Sequence, residues 1–137
     1  MSDETVLAIW NALRERFTKM AAGLAEEDLD LGMGQSSIRS LLYHTAEVEY
    51  MFADWYLEKM MPAELSKAKN LPELLDLLAA SDENLKQAME ELTIEQWQTP
   101  VETKMGVSTP LEAIGRLMYH AGIHAGQIAL MKNQRKE

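Results

Sequence analysis

Two histidines, His120 and His124, stand four residues apart in the run YHAGIHAGQI (119–128), and the chain's third histidine, His44, lies far earlier in LLYHTAEVE (41–49). Side chains at i and i+4 of a helix share a face, with Cβ atoms about 5–6 Å apart, so two imidazoles there can converge on one ion. An HExxH helix presents its zinc-binding pair in the same way. His120-Ala-Gly-Ile-His124 has the spacing but not the built-in glutamate base. His44 follows Leu41 by three residues and precedes Val48 by four. His120 follows Leu117 by three, and His124 precedes Ile128 by four, so all three histidines lean toward apolar faces. Two readings stand at this point. Either each imidazole is a core residue with its own hydrogen-bond partner, or one shared ion serves all three. Three neutral histidines would leave coordination positions open, which is the layout of a catalytic rather than a structural site. Imidazole suits zinc, nickel, iron and copper alike, so the ligand type does not choose the metal.

The 3.6-residue period nominates neighbours. Around His44 it places Ser37, Ser40, Glu47, Met51 and Trp55 within about a 60° sector. Around the histidine pair it places Ala113, Arg116, Gln127 and Met131. Glu47 is a candidate general base or outer partner of a ligand histidine. The bland alternative is a surface carboxylate beside Glu49. Arg116 is a candidate for holding an anionic substrate group, against the alternative of a surface ion pair. Gln127 is a candidate for a hydrogen bond within the site or a cap on a neighbouring helix. Met51 and Trp55 could wall a pocket or simply fill the core.

Four amphipathic helices must position these residues. The first runs from about Asp3 to Ala22, with Val6, Ile9, Trp10, Leu13, Phe17 and Met20 on one side and Arg14, Glu15 and Lys19 on the other. Gly23 is a plausible stop. Residues 26–35 are polar and hold two glycines, which predicts a loop. Ser36 or Ser37 caps a second helix that reaches about Met60, just before Pro62. Asn70 caps a third, with Pro72 in its first turn, running to about Glu91. Thr93-Ile-Glu-Gln96 has the capping-box pattern of a single short turn. Residues 99–108 predict a loop with a small hairpin around Lys104–Gly106. Thr109-Pro-Leu-Glu112 opens the last helix, which runs from Pro110 to about Asn133 with Leu111, Ile114, Leu117, Met118, Ile128 and Met131 as its apolar set. Four such stripes bury one another most economically in a four-helix bundle, an all-α fold.

The chain has 137 residues, a length that favours one domain spanning 1–137. Its net charge of −9 would repel a phosphate backbone, so no nucleic-acid partner is expected. The densest basic run, Lys132, Arg135 and Lys136, reads as a solvated tail. There is no cysteine, which excludes thiolate ligands, disulfides and a cysteine nucleophile. No signal peptide and no apolar stretch long enough to span a membrane are evident, so a cytoplasmic location is the default. Ten methionines are many for this length and read mainly as fillers of irregular core gaps. The row Gly115, Gly122, Ala129 permits close helix approach, either inside the core or in a homodimer.

Ser37-Ile38 opening a helix, LLYHTAEVE (41–49) and HAGIHAGQI (120–128) together resemble the DinB/YfiT-like family of small four-helix proteins. That family's pattern is one histidine on the second helix and an H-x3-H pair on the last, then a small or basic residue and Gly-Gln. His44, His120, His124 and Gly126-Gln127 match it, with Ala125 where many members carry arginine. The resemblance covers nearly the whole chain. It implies a divalent ion, zinc or nickel, held by His44, His120 and His124. It also implies either a metal-dependent enzyme of thiol-dependent S-transferase or hydrolase type acting on a small molecule, or a non-catalytic metal-binding or stress-response protein acting by association. Because the chain has no cysteine, a low-molecular-weight thiol would have to come from outside. Nothing in the sequence resembles the DNA polymerase that shares the DinB name.

Overall fold

A computed structural model describes residues 4–134. The expected helix start at Asp3 and the basic residues Arg135 and Lys136 lie outside this range. The elements are α1 (Glu4–Ala22), a 3-10 turn (Glu26–Asp30), β1 (Gly32–Met33), β2 (Ser36–Ser37), α2 (Ile38–Leu57), α3 (Leu71–Glu91), α4 (Ile94–Trp97), β3 (Val101–Thr103), β4 (Gly106–Ser108) and α5 (Pro110–Gln134). The four long helices form the expected bundle. α3 and α5 both pack against α2 and against α1, so α1 and α2 face each other across the diagonal. No helix among the described residues is long and apolar enough to cross a membrane.

Local chemistry explains most of the boundaries. Ser37 Oγ accepts the Ser40 amide and Ser40 Oγ accepts the Ser37 amide, a reciprocal cap at the start of α2. Asn70 with Glu73, Thr93 with Gln96 and Thr109 with Glu112 do the same for α3, α4 and α5. β3 and β4 form the small antiparallel hairpin expected near Lys104–Gly106, in the register Val101↔Ser108 and Thr103↔Gly106.

The loop expected at 26–35 is more ordered than its composition suggested. Leu29 is fully buried there, and the buried Asp28 carboxylate accepts the Ala25 amide. β1 pairs with β2 at Gly32↔Ser37. Gly32 is obligatory at this crossing, because a Cβ would lie 2.3 Å from the Ser36 carbonyl oxygen.

α2 ends at Leu57, three residues short of the expected Met60. Glu58 turns into the left-handed region at φ 57°, and the amides of Glu58 and Lys59 both point back to the Ala53 carbonyl. No glycine or asparagine marks this stop, which is why the sequence conceals it.

Two apolar clusters fill the bundle. One is built around Phe17, Leu29, Leu42, Leu74 and Ile128, the other around Trp10, Phe52, Leu85, Trp97 and Leu117. Ile9 and Leu111 were expected inside, but both are exposed at the margins of their stripes. Arg14 was expected on the solvent side of α1 and is instead 1% exposed. Its Nε and Nη2 donate to the two oxygens of the equally buried Glu49 at 2.7 and 3.2 Å, across the diagonal between α1 and α2. Nη2 also reaches the Leu78 carbonyl, Nη1 donates to Thr18, and Ser81 Oγ donates to Glu49 at 2.5 Å. Burial pushes the Glu49 carboxyl up, while the guanidinium and the Ser81 hydroxyl pull it back down. Every strong donor and acceptor in this knot has a partner, as a buried charge requires.

The row Gly115, Gly122, Ala129 does not serve packing within the bundle. A Cβ built at Gly115 or Gly122 meets nothing within 4 Å, and Ala129 is exposed.

Candidate metal centre

The helices bring all three histidines together. One ring nitrogen from each of His44, His120 and His124 lies within 4.8 Å of the others, so the trio could hold a metal ion. The ring centroids of His44 lie 5.3 Å from His120 and 5.6 Å from His124. The site sits on the outer seam between α2 and α5, not in the core. His44 is half exposed and the α5 pair is only partly buried. The expectation of inward-facing imidazoles is therefore corrected. Leu41, Val48, Leu117 and Ile128 are buried beneath, and the histidines occupy the rim of the same stripes.

Two flanking polar groups orient the rings. Glu47 Oε1 lies 3.3 Å from His44 Nδ1. A carboxylate only accepts, so this contact puts the proton on Nδ1 and leaves Nε2 a lone pair. Gln127 Oε1 lies 2.8 Å from His124 Nδ1 and does the same there. Both partners come from one helical turn away, three residues C-terminal to the histidine they serve. His120 Nε2 then lies 2.9 Å from His124 Nε2. Two nitrogen lone pairs at that separation repel unless a proton or a cation lies between them. His120 Nδ1 is buried without a partner. Burial, and then the neighbouring His124 and His44, hold the His120 pKa down at about 4, so this imidazole is neutral and able to ligate at neutral pH.

The remaining nominated residues sort by contact. Ser37 and Ser40 cap α2 and also line a surface groove of about 440 Å³ that includes Tyr43, His44 and Glu47. A larger cavity of about 480 Å³, bounded by Tyr50, Leu65 and Leu77, touches none of the candidate residues. Met51 and Trp55 are half-buried along the α2 side of the seam, and Trp55 stacks on Phe52 at 6.5 Å. Ala113 and Met131 are buried and belong to the core.

Among the described residues, Arg116 forms no ion pair within 4 Å. Its Nη2 donates to Tyr56 Oη at 3.0 Å, and its guanidinium carbon lies 5.8 and 5.4 Å from the Phe52 and Tyr56 rings. By sequence, Phe52 reads only as one of the apolar positions of the second helix. The part played by Tyr56 had no sequence signal beyond its place three residues after Ala53 on a buried face.

A four-helix bundle that gathers three imidazoles on the seam of its second and last long helices defines the class of protein. The sequence matches the DinB superfamily over residues 9–128, and the chain belongs to that superfamily. Solved structures agree on the fold. A DinB-like protein from Bacillus cereus is 16% identical with a TM-score of 0.85, covering 98% of this chain and 93% of its own. A DinB-like protein from Bacillus subtilis is 15% identical with a TM-score of 0.79, covering 97% and 93%. A mycothiol-dependent maleylpyruvate isomerase is 15% identical with a TM-score of 0.69, and the match covers 91% of this chain but 60% of that protein. A comparison with curated proteins found no match.

Proposed function

We propose that His44, His120 and His124 hold one divalent ion, zinc or nickel, and that the chain is a metal-dependent enzyme of transferase or hydrolase type acting on a small molecule. The convergence of three imidazoles, two of them turned by Glu47 and Gln127 so that Nε2 presents its lone pair, carries this reading. Three protein ligands leave room for an exogenous one. A divalent ion bound there lowers the pKa of a coordinated water or thiol and supplies a nucleophile near neutral pH.

The chain's own residues do the rest. Glu47 and Gln127 fix the ring orientations of His44 and His124. The low pKa of His120 keeps it a ligand rather than a cation. The groove beside His44, lined by Ser37, Ser40, Tyr43 and Glu47, has room for a small substrate. A thiol co-substrate must be external, since the chain has no cysteine. A structural neighbour described as mycothiol-dependent makes low-molecular-weight thiols the first class to try.

The test is elemental analysis of protein purified without metal-affinity steps or chelator, alongside His44→Ala and His120→Ala. The expected result is about one zinc or nickel per chain in the wild type and loss in both variants, with helicity unchanged. Wild-type protein that neither carries metal nor takes it up on reconstitution overturns the reading. Metal-loaded protein that accelerates no thiol transfer and no hydrolysis favours the non-catalytic alternative.

A further inference from the structure

We propose that Arg116 is the anion-binding end of the substrate site, and that the substrate is a small molecule carrying a carboxylate about one helical turn from the atom that meets the metal. This rests on the metal-site reading above and adds the substrate class to it.

The first observation is placement. Arg116 precedes His120 by four residues on α5, so the two share a face about 6 Å apart along the axis. Between them and α2 runs the seam that carries His44, Glu47, Met51 and Trp55, all at least partly exposed. The imidazoles and Arg116 thus lie along one seam, with the guanidinium held against Phe52 and Tyr56 of α2.

The second observation is that this guanidinium is fixed but unsatisfied. Among the described residues, its hydrogen-bond partner is the Tyr56 hydroxyl, which itself lies 3.1 Å from Thr103 Oγ1. The rings of Phe52 and Tyr56 hold the guanidinium group in place. Nε is shielded from solvent and has no partner. Among the described residues, no carboxylate lies within 4 Å of Arg116. Glu112, one turn earlier, attracts Arg116 through space but spends its hydrogen bonds on Thr109. Among the described residues, this half-buried arginine is hydrogen-bonded to no carboxylate, in a protein with 22 acidic residues. By contrast, Arg14 and Arg39 each have a carboxylate.

The third point is chemical. An arginine fork matches a carboxylate in two parallel hydrogen bonds, and Arg116 retains donors for it. Met51 and Trp55 supply an apolar wall for the carbon chain between the two ends. A molecule with a carboxylate at one end and a metal-seeking group at the other spans the seam. A simple monoanion would use only one end.

The test uses zinc-loaded full-length protein and a series of unbranched α,ω-dicarboxylates, succinate through adipate, compared by calorimetry with butyrate. One length should bind more tightly than butyrate by roughly 10- to 100-fold, the range for a charge-assisted pair. Arg116→Gln should reduce that ligand to the butyrate level, and Arg116→Lys should fall between. Zinc content and helicity should stay unchanged in both variants, which a merely structural role for Arg116 would not allow. Arg116→Lys decides the matter if the glutamine variant does not fold. Zinc-loaded protein that shows no length dependence, or an unaltered profile in the Arg116 variants, overturns this inference alone. Protein that takes up no zinc overturns the metal reading and this one together.

Discussion

Removing the Gln127 side-chain oxygen should weaken metal binding by about tenfold without touching a ligand. Gln127 Oε1 accepts from His124 Nδ1 at 2.8 Å, a good hydrogen bond on an exposed part of α5. A neutral bond of this kind is worth about 0.5–1.5 kcal/mol net, or roughly 2- to 12-fold. Outer partners of ligand histidines generally contribute about 10- to 100-fold to metal affinity, because they fix ring orientation and raise ligand basicity. The two ranges meet near tenfold. Gln127→Glu keeps the acceptor and adds charge, so it should bind metal more tightly than wild type. Glu47→Gln should cost less than Gln127→Ala, because the Glu47 contact is long at 3.3 Å and both side chains are well exposed. Competition against a chromophoric zinc chelator at fixed salt and neutral pH gives all four affinities. A Gln127→Ala protein within about twofold of wild type would show that the His124 ring is held by something other than this bond. An inverted order of Gln127→Glu and wild type would refute the basicity argument.

Three further outcomes follow from the bundle. Arg14→Met leaves the Glu49 carboxylate buried without its cation and should cost about 3–5 kcal/mol in urea unfolding, whereas Arg14→Met with Glu49→Leu should recover most of that. Gly122→Ala adds a methyl group into open space on a helix, so it should stabilise the fold by about 0.4–1 kcal/mol, read as a higher Tm; a lower Tm would mean that another surface covers that face. Hydrogen bonds from Thr109 hold the Glu112 carboxyl below its ordinary value of 4.5, so the folded form binds its proton less readily than the unfolded chain. That contribution is present above the unfolded pKa and disappears as pH falls through the folded one, so Glu112→Gln should flatten the acid side of a stability–pH curve below about pH 4.5.

The four long helices were legible because their signals are local. Ser37, Asn70 and Thr109 each sit three residues before the group that completes the cap, and such pairs need no knowledge of the rest of the chain. The three histidines were legible for a similar reason, since a helical face can be counted. How deep they sit was not. A stripe has a buried centre and a wet rim, and Ile9, Leu111 and His44 all fall at the rim. Arg14 and Glu49 were hidden by residue type. Arg14 lies four after Trp10 and three before Phe17, inside the apolar stripe, but only the presence of Glu49 and Ser81 across the bundle makes its burial tolerable. Arg116 was counted onto the right face, yet its aromatic cradle depends on how α5 meets α2, which no single helix encodes.

The buried polar knot also divides the bundle by its resistance to opening. Arg14, Glu49, Ser81 and the Leu78 carbonyl tie α1, α2 and α3 to one another, and α5 has no part in it. Among the described residues, the direct side-chain hydrogen bond from α5 to another helix is that from Arg116 to Tyr56; apart from that, it is held by apolar contact and by the clustered imidazoles. Amide hydrogen exchange should therefore be slowest in the three knotted helices and faster along α5, which opens as a separate cooperative unit. The histidine centre straddles that boundary, with one ring on the rigid side and two on the other. Filling it would fasten the loosest helix to the firmest, so occupancy should register first in the exchange rates of α5, before any change in the rest of the bundle.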